Sequence, residues 1–201
     1  MPPGNRFNKA YFDKWYRGAR RVRTAMPLAR QVSLAVSVAE YVLERPLRRV
    51  LDVGCGEGIW RAPLRKLRPR VEYFGLDTSD YAVSRFGMRR NIGLGSFGAL
   101  DDVDDLESFD LVTCVDALHY MDDADVRRGA RVLGERLNGV AYLYAFARGD
   151  AVEGDVRGMI RRPAKWYRSL FRRSGLLPVG FACWVGEPLA DALTQLESVS
   201  R

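Results

Sequence analysis

The chain has 201 residues, of which 47% are hydrophobic and 28% charged, a composition that excludes a disordered chain and predicts one globular domain over residues 1–201. No apolar run approaches the length of a membrane span, so we expect no membrane association. The net charge of +7 could indicate a nucleic-acid partner. However, 28 of the 32 basic residues are Arg, a bias that coding composition alone can produce, and residues 101–125 contain ten acids and no Lys or Arg. We therefore expect no specific nucleic-acid surface.

The cysteines Cys55, Cys114 and Cys183 are far apart in the chain. Because no CxxC pair occurs, neither a zinc site nor a disulfide framework is predicted, and we expect no bound metal. Unpaired cysteines are typical of a reducing compartment, and residues 1–15 lack the apolar core of a signal peptide. Both features predict a cytoplasmic protein.

Residues 27–45 form the first stretch with a clear pattern, since their apolar positions recur at helical spacing until Pro46 ends the helix. Beyond it, short apolar runs typical of buried strands alternate with stretches typical of helices. The predicted strands are 48–54, 71–77, one within 92–100, 109–115, 140–146 and 176–185, with a seventh in 191–199 that could equally be a helix. The predicted helices between the strands are 59–67, 78–86, 126–137 and 163–173.

This alternation predicts an α/β fold, a doubly wound, seven-stranded, mostly parallel sheet with helices on both faces. Residues 1–45 would be the N-terminal helical cap of this single domain. In such sheets, ligands bind beyond the carboxyl ends of the strands, where the strand order switches. The residues directly after each strand are therefore the candidates for a functional site.

A glycine-rich turn follows the first strand in the sequence VLDVGCGEG, residues 50–58. It differs from the dinucleotide fingerprint GxGxxG because Ile59 stands at the position of the third glycine. Asp52 precedes the turn, and a carboxylate there suits a cationic ligand better than a pyrophosphate. Asp77 ends the second strand, at the place where doubly wound folds bind ribose hydroxyls. Together these residues predict a site for an adenosine with a positively charged tail.

Four segments, VLDVGCGEG, YFGLD, GSFGAL and FDLVTCVDALHYMDD, resemble in order and spacing the class I S-adenosylmethionine-dependent methyltransferases, which have a Rossmann-like fold. The resemblance covers roughly residues 47–146. It implies S-adenosylmethionine as cofactor and assigns roles to matching positions. Asp52, Gly54 and Gly56 would line the methionine part, Asp77 would hold the ribose, Ser96 and Phe97 would edge the adenine, and Cys114 and Val115 would pass beneath the methionine tail. Cys55 and Thr78 are further cofactor-binding candidates. Many members carry an acid where this chain has Ser96, whose hydroxyl can also accept a hydrogen bond.

The methyl acceptor would lie beside Asp116-Ala117-Leu118-His119. This segment lacks the Asn/Asp-Pro-Pro-aromatic motif of amino-methylating DNA enzymes, which argues against the exocyclic amines of nucleic-acid bases as acceptors. His119, the only histidine, is the first candidate for a general base, with Asp116 as the reserve; the alternative is a packing residue.

Two segments that mix aromatic residues with arginines, 11–21 and 147–168, could close over the cleft. They predict a pocket for a small anionic or aromatic molecule, although ordinary packing with arginines along the surface would give the same pattern. We expect methyl transfer to oxygen or nitrogen of a small-molecule acceptor, by a monomer or homodimer. The alternatives are an RNA or protein methyltransferase, favoured by the basic N-terminal segment, and a methyltransferase-like protein that binds the cofactor without turnover.

Overall fold

The structure is a computed structural model and describes residues 6–17, 28–152 and 154–197. Its centre is one sheet of seven strands in the order β3-β2-β1-β4-β5-β7-β6. The strands are β1 (Arg49–Val53), β2 (Glu72–Asp77), β3 (Ile92–Leu94), β4 (Leu111–Val115), β5 (Val140–Tyr144), β6 (Leu177–Gly180) and β7 (Cys183–Val185). The first five are parallel, whereas β7 is antiparallel to β5 and β6 to β7. The predicted doubly wound, mostly parallel sheet is confirmed.

The last two strands differ from the sequence prediction. The stretch 176–185, predicted as one strand, is a hairpin of β6 and β7 that turns at Phe181 and Ala182, whose φ angles are +50° and +63°. The prediction of a strand in 191–199 is wrong for the described part, since a 3₁₀ helix over Glu187–Ala192 is followed by turns up to residue 197. Residues 198 and 199 lie outside the described residues. The hairpin therefore supplies the seventh strand.

The helices are α1 (Lys9–Phe12), α2 (Leu28–Leu43), α3 (Arg61–Leu67), α4 (Asp80–Arg90), α5 (Asp123–Arg136) and α6 (Ala164–Arg173). Helices α3, α4 and α6 lie close to their predicted positions. Helix α2 ends before Pro46 as predicted, and Pro27, its predicted first residue, lies outside the described residues. Helix α5 begins earlier than predicted because the Asp122 side chain caps it by accepting from the Asp125 N–H at 2.8 Å. None of the described helices is long and apolar enough to span a bilayer.

Alternating strand residues face two separate apolar cores, one on each side of the sheet. Leu51, Val53 and Val112 pack with the buried faces of α5 and α6, whereas Val50 and Leu111 pack with α2 and α3. This period of two is what a parallel sheet covered on both faces requires. It leaves the carboxyl ends of β1, β2 and β4 side by side, with Asp52 in register with Gly75 on one neighbour and Thr113 on the other.

Candidate active site

A cavity of about 1090 Å³ lies at the carboxyl ends of the central strands, where the strand order reverses between β1 and β4. Its walls come from three places: the residues directly after the strands, the N-terminal segment 6–17 and the segment 146–160 after β5. The volume is at the upper end of the usual range for small-molecule sites, about 300–1,000 Å³. The cavity therefore has room for a cofactor together with a small second molecule.

The glycine turn forms one wall of this cavity. Gly54 has a φ of +72°, and a Cβ built on it would lie 2.6 Å from the Cβ of Ala117, so no other residue fits there. The Gly54 N–H donates to the Leu76 carbonyl at 2.7 Å, which ties the turn to β2. Gly56 has a φ of +55° and faces the Tyr16 hydroxyl. The turn thus presents bare backbone to the cavity, as the sequence predicted.

Asp77 closes β2 and lines the cavity, with 8% of its surface exposed. One carboxylate oxygen accepts from the Gly56 N–H at 2.7 Å and the other from the Ser79 N–H at 2.9 Å. Burial raises the pKa of this carboxyl, and the backbone N–H donors oppose the rise. Each oxygen keeps a lone pair for a further donor. Asp77 therefore keeps acceptor capacity beyond its two backbone bonds.

Asp52 lies at the floor of the cavity and is 2% exposed. Its carboxylate accepts from the Tyr73 hydroxyl at 2.7 Å and from the Thr113 hydroxyl at 2.9 Å. Burial raises its pKa to about 6, although these two donors favour the charged form. A cationic ligand group beside Asp52 would lower that pKa again, because an opposite charge stabilises the carboxylate.

The other predicted cofactor residues divide into two groups. Cys55, Thr78, Ser96 and Val115 line the cavity. Phe97 and Cys114 are fully buried in the core beneath α5 and are absent from the cavity wall. Phe97 faces this core because Gly129 of α5 leaves it room: a Cβ built there would lie 2.3 Å from the ring. Of the two residues predicted to contact adenine, Ser96 therefore lines the cavity and Phe97 does not.

Asp116 follows β4 and is the most unusual acid of the site. Its φ is +55°, a conformation that aspartate and asparagine adopt more often than other non-glycine residues, and its N–H donates to the Tyr144 carbonyl at 2.9 Å. The side chain lines the cavity, and its Oδ1 is buried without a hydrogen-bond partner among the described residues. Burial raises its pKa to about 6. A buried carboxylate oxygen without a hydrogen-bond partner is unusual in a folded protein.

His119 also lines the cavity and is 1% exposed. Its ring packs against Tyr120 and Phe146, and Nδ1 is buried without a partner among the described residues. Burial, with a smaller effect from the charge of Arg162, lowers its pKa to about 4. The ring is therefore neutral at physiological pH and is a weaker base than an ordinary histidine.

Both segments that the sequence singled out as possible lids contribute to the cavity wall. Tyr11, Phe12, Trp15 and Tyr16 come from the first, and Asp155 and Ile160 from the second. Arg6, which precedes the first segment, forms an ion pair with Asp155 of the second at 3.4 Å, and Ile160 donates its N–H to the His119 carbonyl at 2.7 Å. Residues 18–21 of the first segment lie outside the described residues.

Sequence reasoning named the lid segments but missed individual residues that line the site. Gln31 is buried within the apolar face of α2, and Phe146 follows β5. A polar residue in line with Ala35 on an otherwise apolar helix face was a signal for the first. Position directly after a strand was a signal for the second. Trp15 carried no comparable signal, although its Nε1 is buried and unpartnered among the described residues.

Among the described residues, no group of three or more His, Cys, Asp or Glu side chains could hold a metal ion. The three cysteines are all buried and free. Burial raises the pKa of Cys55 and of Cys114 above the ordinary thiol value, so both are poor nucleophiles.

Comparison with known families and proteins identifies similar sequences. Residues 51–139 match the family model described as a methyltransferase domain. An uncharacterised protein from Synechococcus sp. is 29% identical over 124 residues. That alignment spans 58% of this chain and only 29% of the relative's length.

Comparison with solved structures identifies the same architecture. A sugar N-methyltransferase from Streptoalloteichus sp. superposes with a TM-score of 0.63 at 20% identity, covering 88% of each chain. A SAM-dependent methyltransferase from Archaeoglobus fulgidus gives 0.58 at 15% identity, covering 82% of this chain and 72% of that one. The [4+2]-cyclase SpnF gives 0.56 at 20% identity, covering 81% and 62% respectively. At these identities the likeness establishes the fold.

Proposed function

We propose that this chain transfers a methyl group to oxygen or nitrogen of a small molecule. Its residues 51–139 form a methyltransferase domain of class I, the S-adenosylmethionine-dependent type. One observation carries the proposal. The glycine turn and Asp77 line the same cavity as Asp116 and His119, each of which has a buried polar atom without a partner among the described residues. One half of the wall suits the cofactor, and the other half offers polar groups to a second molecule.

The cofactor half fits S-adenosylmethionine by the chemistry of its side chains. Asp77 keeps free lone pairs for the two ribose hydroxyls, and the turn at Gly54 and Gly56 offers bare backbone to the methionine part. Asp52 supplies negative charge on the floor of the cavity, where the ammonium and sulfonium groups of the cofactor are attracted. When bound, the cofactor supplies an electrophilic methyl group.

The acceptor half would act mainly by positioning. Alignment of a nucleophile with an electrophile can contribute about 7–11 kcal/mol to lowering a barrier. The aromatic rings of Tyr11, Trp15 and Tyr120 form walls that exclude water from such a pair. Asp116, with its raised pKa, is the stronger candidate for accepting a proton from the methyl acceptor. His119 remains neutral and can form a hydrogen bond to the methyl acceptor.

A small acceptor is favoured by how the cavity is enclosed. Segments 6–17 and 146–160 both line it and are tied together by Arg6 and Asp155. A concave site of this size suits a metabolite-sized molecule better than a polymer strand. The solved sugar N-methyltransferase, which covers 88% of this chain, adds an analogy at the level of fold.

A second candidate is a reaction other than methyl transfer in the same cavity. It is favoured by the fold likeness to a protein described as a [4+2]-cyclase. In that case the cofactor half would bind its ligand without turnover, and the acceptor half would hold the reacting molecule alone.

Two measurements on the purified chain test these proposals. First, S-adenosylmethionine and S-adenosylhomocysteine should raise the melting temperature by several degrees, whereas NAD should not, since binding at a hundredfold excess over Kd stabilises by about 2.7 kcal/mol. Second, methyl-labelled cofactor is incubated with separated metabolite, RNA and protein fractions of a cell extract. We expect label in the metabolite fraction.

Each other outcome has a definite meaning. A melting shift with NAD alone would contradict the cofactor assignment. Label in RNA or protein would replace the small-molecule acceptor by a polymer. A shift with S-adenosylhomocysteine but no labelled product in any fraction would favour the second candidate.

A further inference from the structure

The cavity is acidic although the whole chain is basic. Its described wall residues include six aspartates and no Lys or Arg: Asp52, Asp77, Asp116, Asp122, Asp125 and Asp155. Among the described arginines of the lid segments, Arg17 is paired with Glu57 and Arg157 with Asp155. The sequence expectation of an anionic molecule in this pocket is therefore not supported by the charges that face it.

Most of these acids already have partners within the protein. Asp155 is paired with Arg6 and Arg157, and Asp125 with Arg128. Asp122 accepts from the Asp125 N–H as the cap of α5.

The two acids on the cofactor side are also engaged. Asp52 accepts from two hydroxyl groups, and Asp77 accepts from two backbone N–H groups. Among the acids of the described cavity wall, Asp116 is thus the one with a buried carboxylate oxygen that has no hydrogen-bond partner. A buried unpaired carboxylate oxygen is costly unless a ligand group satisfies it.

Two further wall residues each have a buried polar atom without a partner. The Nδ1 of His119, in a side chain that is 1% exposed, and the Nε1 of Trp15 are both buried without a hydrogen bond among the described residues. Aromatic rings of Tyr11 and Tyr120 complete the wall, and such rings attract cations through their π faces. A carboxylate beside aromatic rings is a typical environment for an ammonium group.

We infer that the methyl acceptor is a small amine, bound as its ammonium form by the Asp116 carboxylate. This inference rests on the proposed function and narrows its acceptor from oxygen or nitrogen to amine nitrogen.

The reaction balances with Asp116 as proton acceptor. The bound ammonium gives one proton to the carboxylate, and the nitrogen lone pair then forms the new bond to the methyl carbon. The bond between that carbon and sulfur breaks, and its electron pair remains on sulfur. The methylated ammonium leaves with its positive charge, and the proton held by Asp116 passes to water. Burial helps because it makes this carboxyl more basic than an ordinary aspartate.

The test uses three probes with the same skeleton and the chain saturated with S-adenosylhomocysteine. The probes are 2-amino-1-phenylethanol, 1-phenyl-1,2-ethanediol and mandelate, which present an ammonium, a hydroxyl and a carboxylate at the same position. Calorimetric titration should show that the amine binds at least tenfold more tightly than the other two. In Asp116→Asn the amine and the diol should bind within about twofold of each other. Asp104→Asn, which removes an exposed acid remote from the cavity, should retain the full preference.

A second readout uses the labelled products of the extract assay, separated by cation exchange at acidic pH. Retention of the labelled small products supports an amine acceptor. Neutral or anionic products, or absence of a tenfold preference for the amine probe, would overturn the inference and leave the proposed function standing. Failure of S-adenosylhomocysteine to bind at all would instead overturn the proposed function.

Discussion

At Asp77 a single carboxylate serves both the protein and the expected ligand. It accepts the N–H groups of Gly56 and Ser79 and so holds the glycine turn against the end of β2. Replacement by alanine removes these bonds together with two ribose contacts, each worth about 1.5–3 kcal/mol to a charge. Asp77→Ala should therefore weaken S-adenosylhomocysteine binding at least a hundredfold by calorimetry, and Asp77→Glu should retain part of the affinity. Asp80→Ala, an exposed acid three residues away, is the control; equal affinity in Asp77→Ala and this control would contradict the assignment.

Asp116 should reduce stability at neutral pH. Its folded pKa of about 6 lies above the ordinary value of 3.8, so the folded chain holds a proton between these pH values that the unfolded chain has lost. Its contribution to the free energy of unfolding therefore falls as pH rises from about 4 to 6, by roughly 1–3 kcal/mol.

We accordingly expect Asp116→Asn to unfold at higher urea concentration than the parent at pH 7.5 and at nearly the same concentration at pH 4. Asparagine tolerates the positive φ of this position, so the backbone should be retained. The neighbouring titratable groups, including His119 and Tyr144, are present in both the parent and the variant, so they do not produce the difference between them. Asp104→Asn should show no such pH-dependent difference. A variant less stable than the parent at pH 7.5 would mean that the carboxylate is satisfied within the fold.

His119 shows what the sequence could and could not predict at this scale. Its distance in sequence from β4 correctly predicted a place in the cavity wall. Its pKa of about 4 could not be predicted, because it depends on burial and on Arg162, 43 residues away in the chain. The same limit applies to Phe97, since Gly129 of a later helix decides which way its ring faces.

Among the elements, those with strong periodic patterns were predicted well, whereas the C-terminal hairpin was not. Helix α6 ends as predicted, with the Leu176 N–H donating to the Phe171 carbonyl at 3.0 Å and Gly175 at a φ of +86°. The strand predicted in 176–185 was wrong because Phe181 and Ala182 adopt positive φ angles that no residue pattern indicated. A turn without glycine or asparagine at its centre gives no signal in the sequence.

The N-terminal segment 6–17 and the segment 146–160 should act together because one ion pair joins them. Arg6 contacts Asp155 and lies over the Tyr120 ring, with its guanidinium carbon 5.0 Å from the ring centre. Arg6→Gln removes this link while Asp155 keeps Arg157 as a partner. Since a partly exposed pair contributes about 0.2–1 kcal/mol, S-adenosylhomocysteine should dissociate about two- to fivefold faster in stopped-flow measurements.

Lys9→Gln is the matched control for the lid, because Lys9 pairs with Asp13 inside the first segment. It should leave the dissociation rate at the parent value. Equal rates in all three proteins would show that the cofactor can leave without the two segments separating.

For the molecule as a whole, the distribution of charge matters more than its sum. The net charge is +7, yet the described wall of the cavity carries acids and no basic side chain. A surface rich in arginine attracts phosphates without sequence selectivity, whereas an acidic cavity repels them. The sequence indicated this separation in the acidic stretch 101–125, but only the fold shows that Asp116, Asp122 and Asp125 of that stretch face the site.

This separation predicts how the protein should behave with nucleic acid. RNA and DNA should bind weakly at 50 mM salt and be lost by 200 mM, because affinity that arises from released counterions falls steeply with salt concentration. Filter binding with oligonucleotides of unrelated sequence should give similar affinities. Since phosphates would stay outside the acidic cavity, bound RNA at 50 mM salt should leave the calorimetric affinity for S-adenosylhomocysteine unchanged. Sequence-selective binding that persists in 200 mM salt, or competition between RNA and S-adenosylhomocysteine, would place a nucleic acid in the cavity and favour RNA as the acceptor.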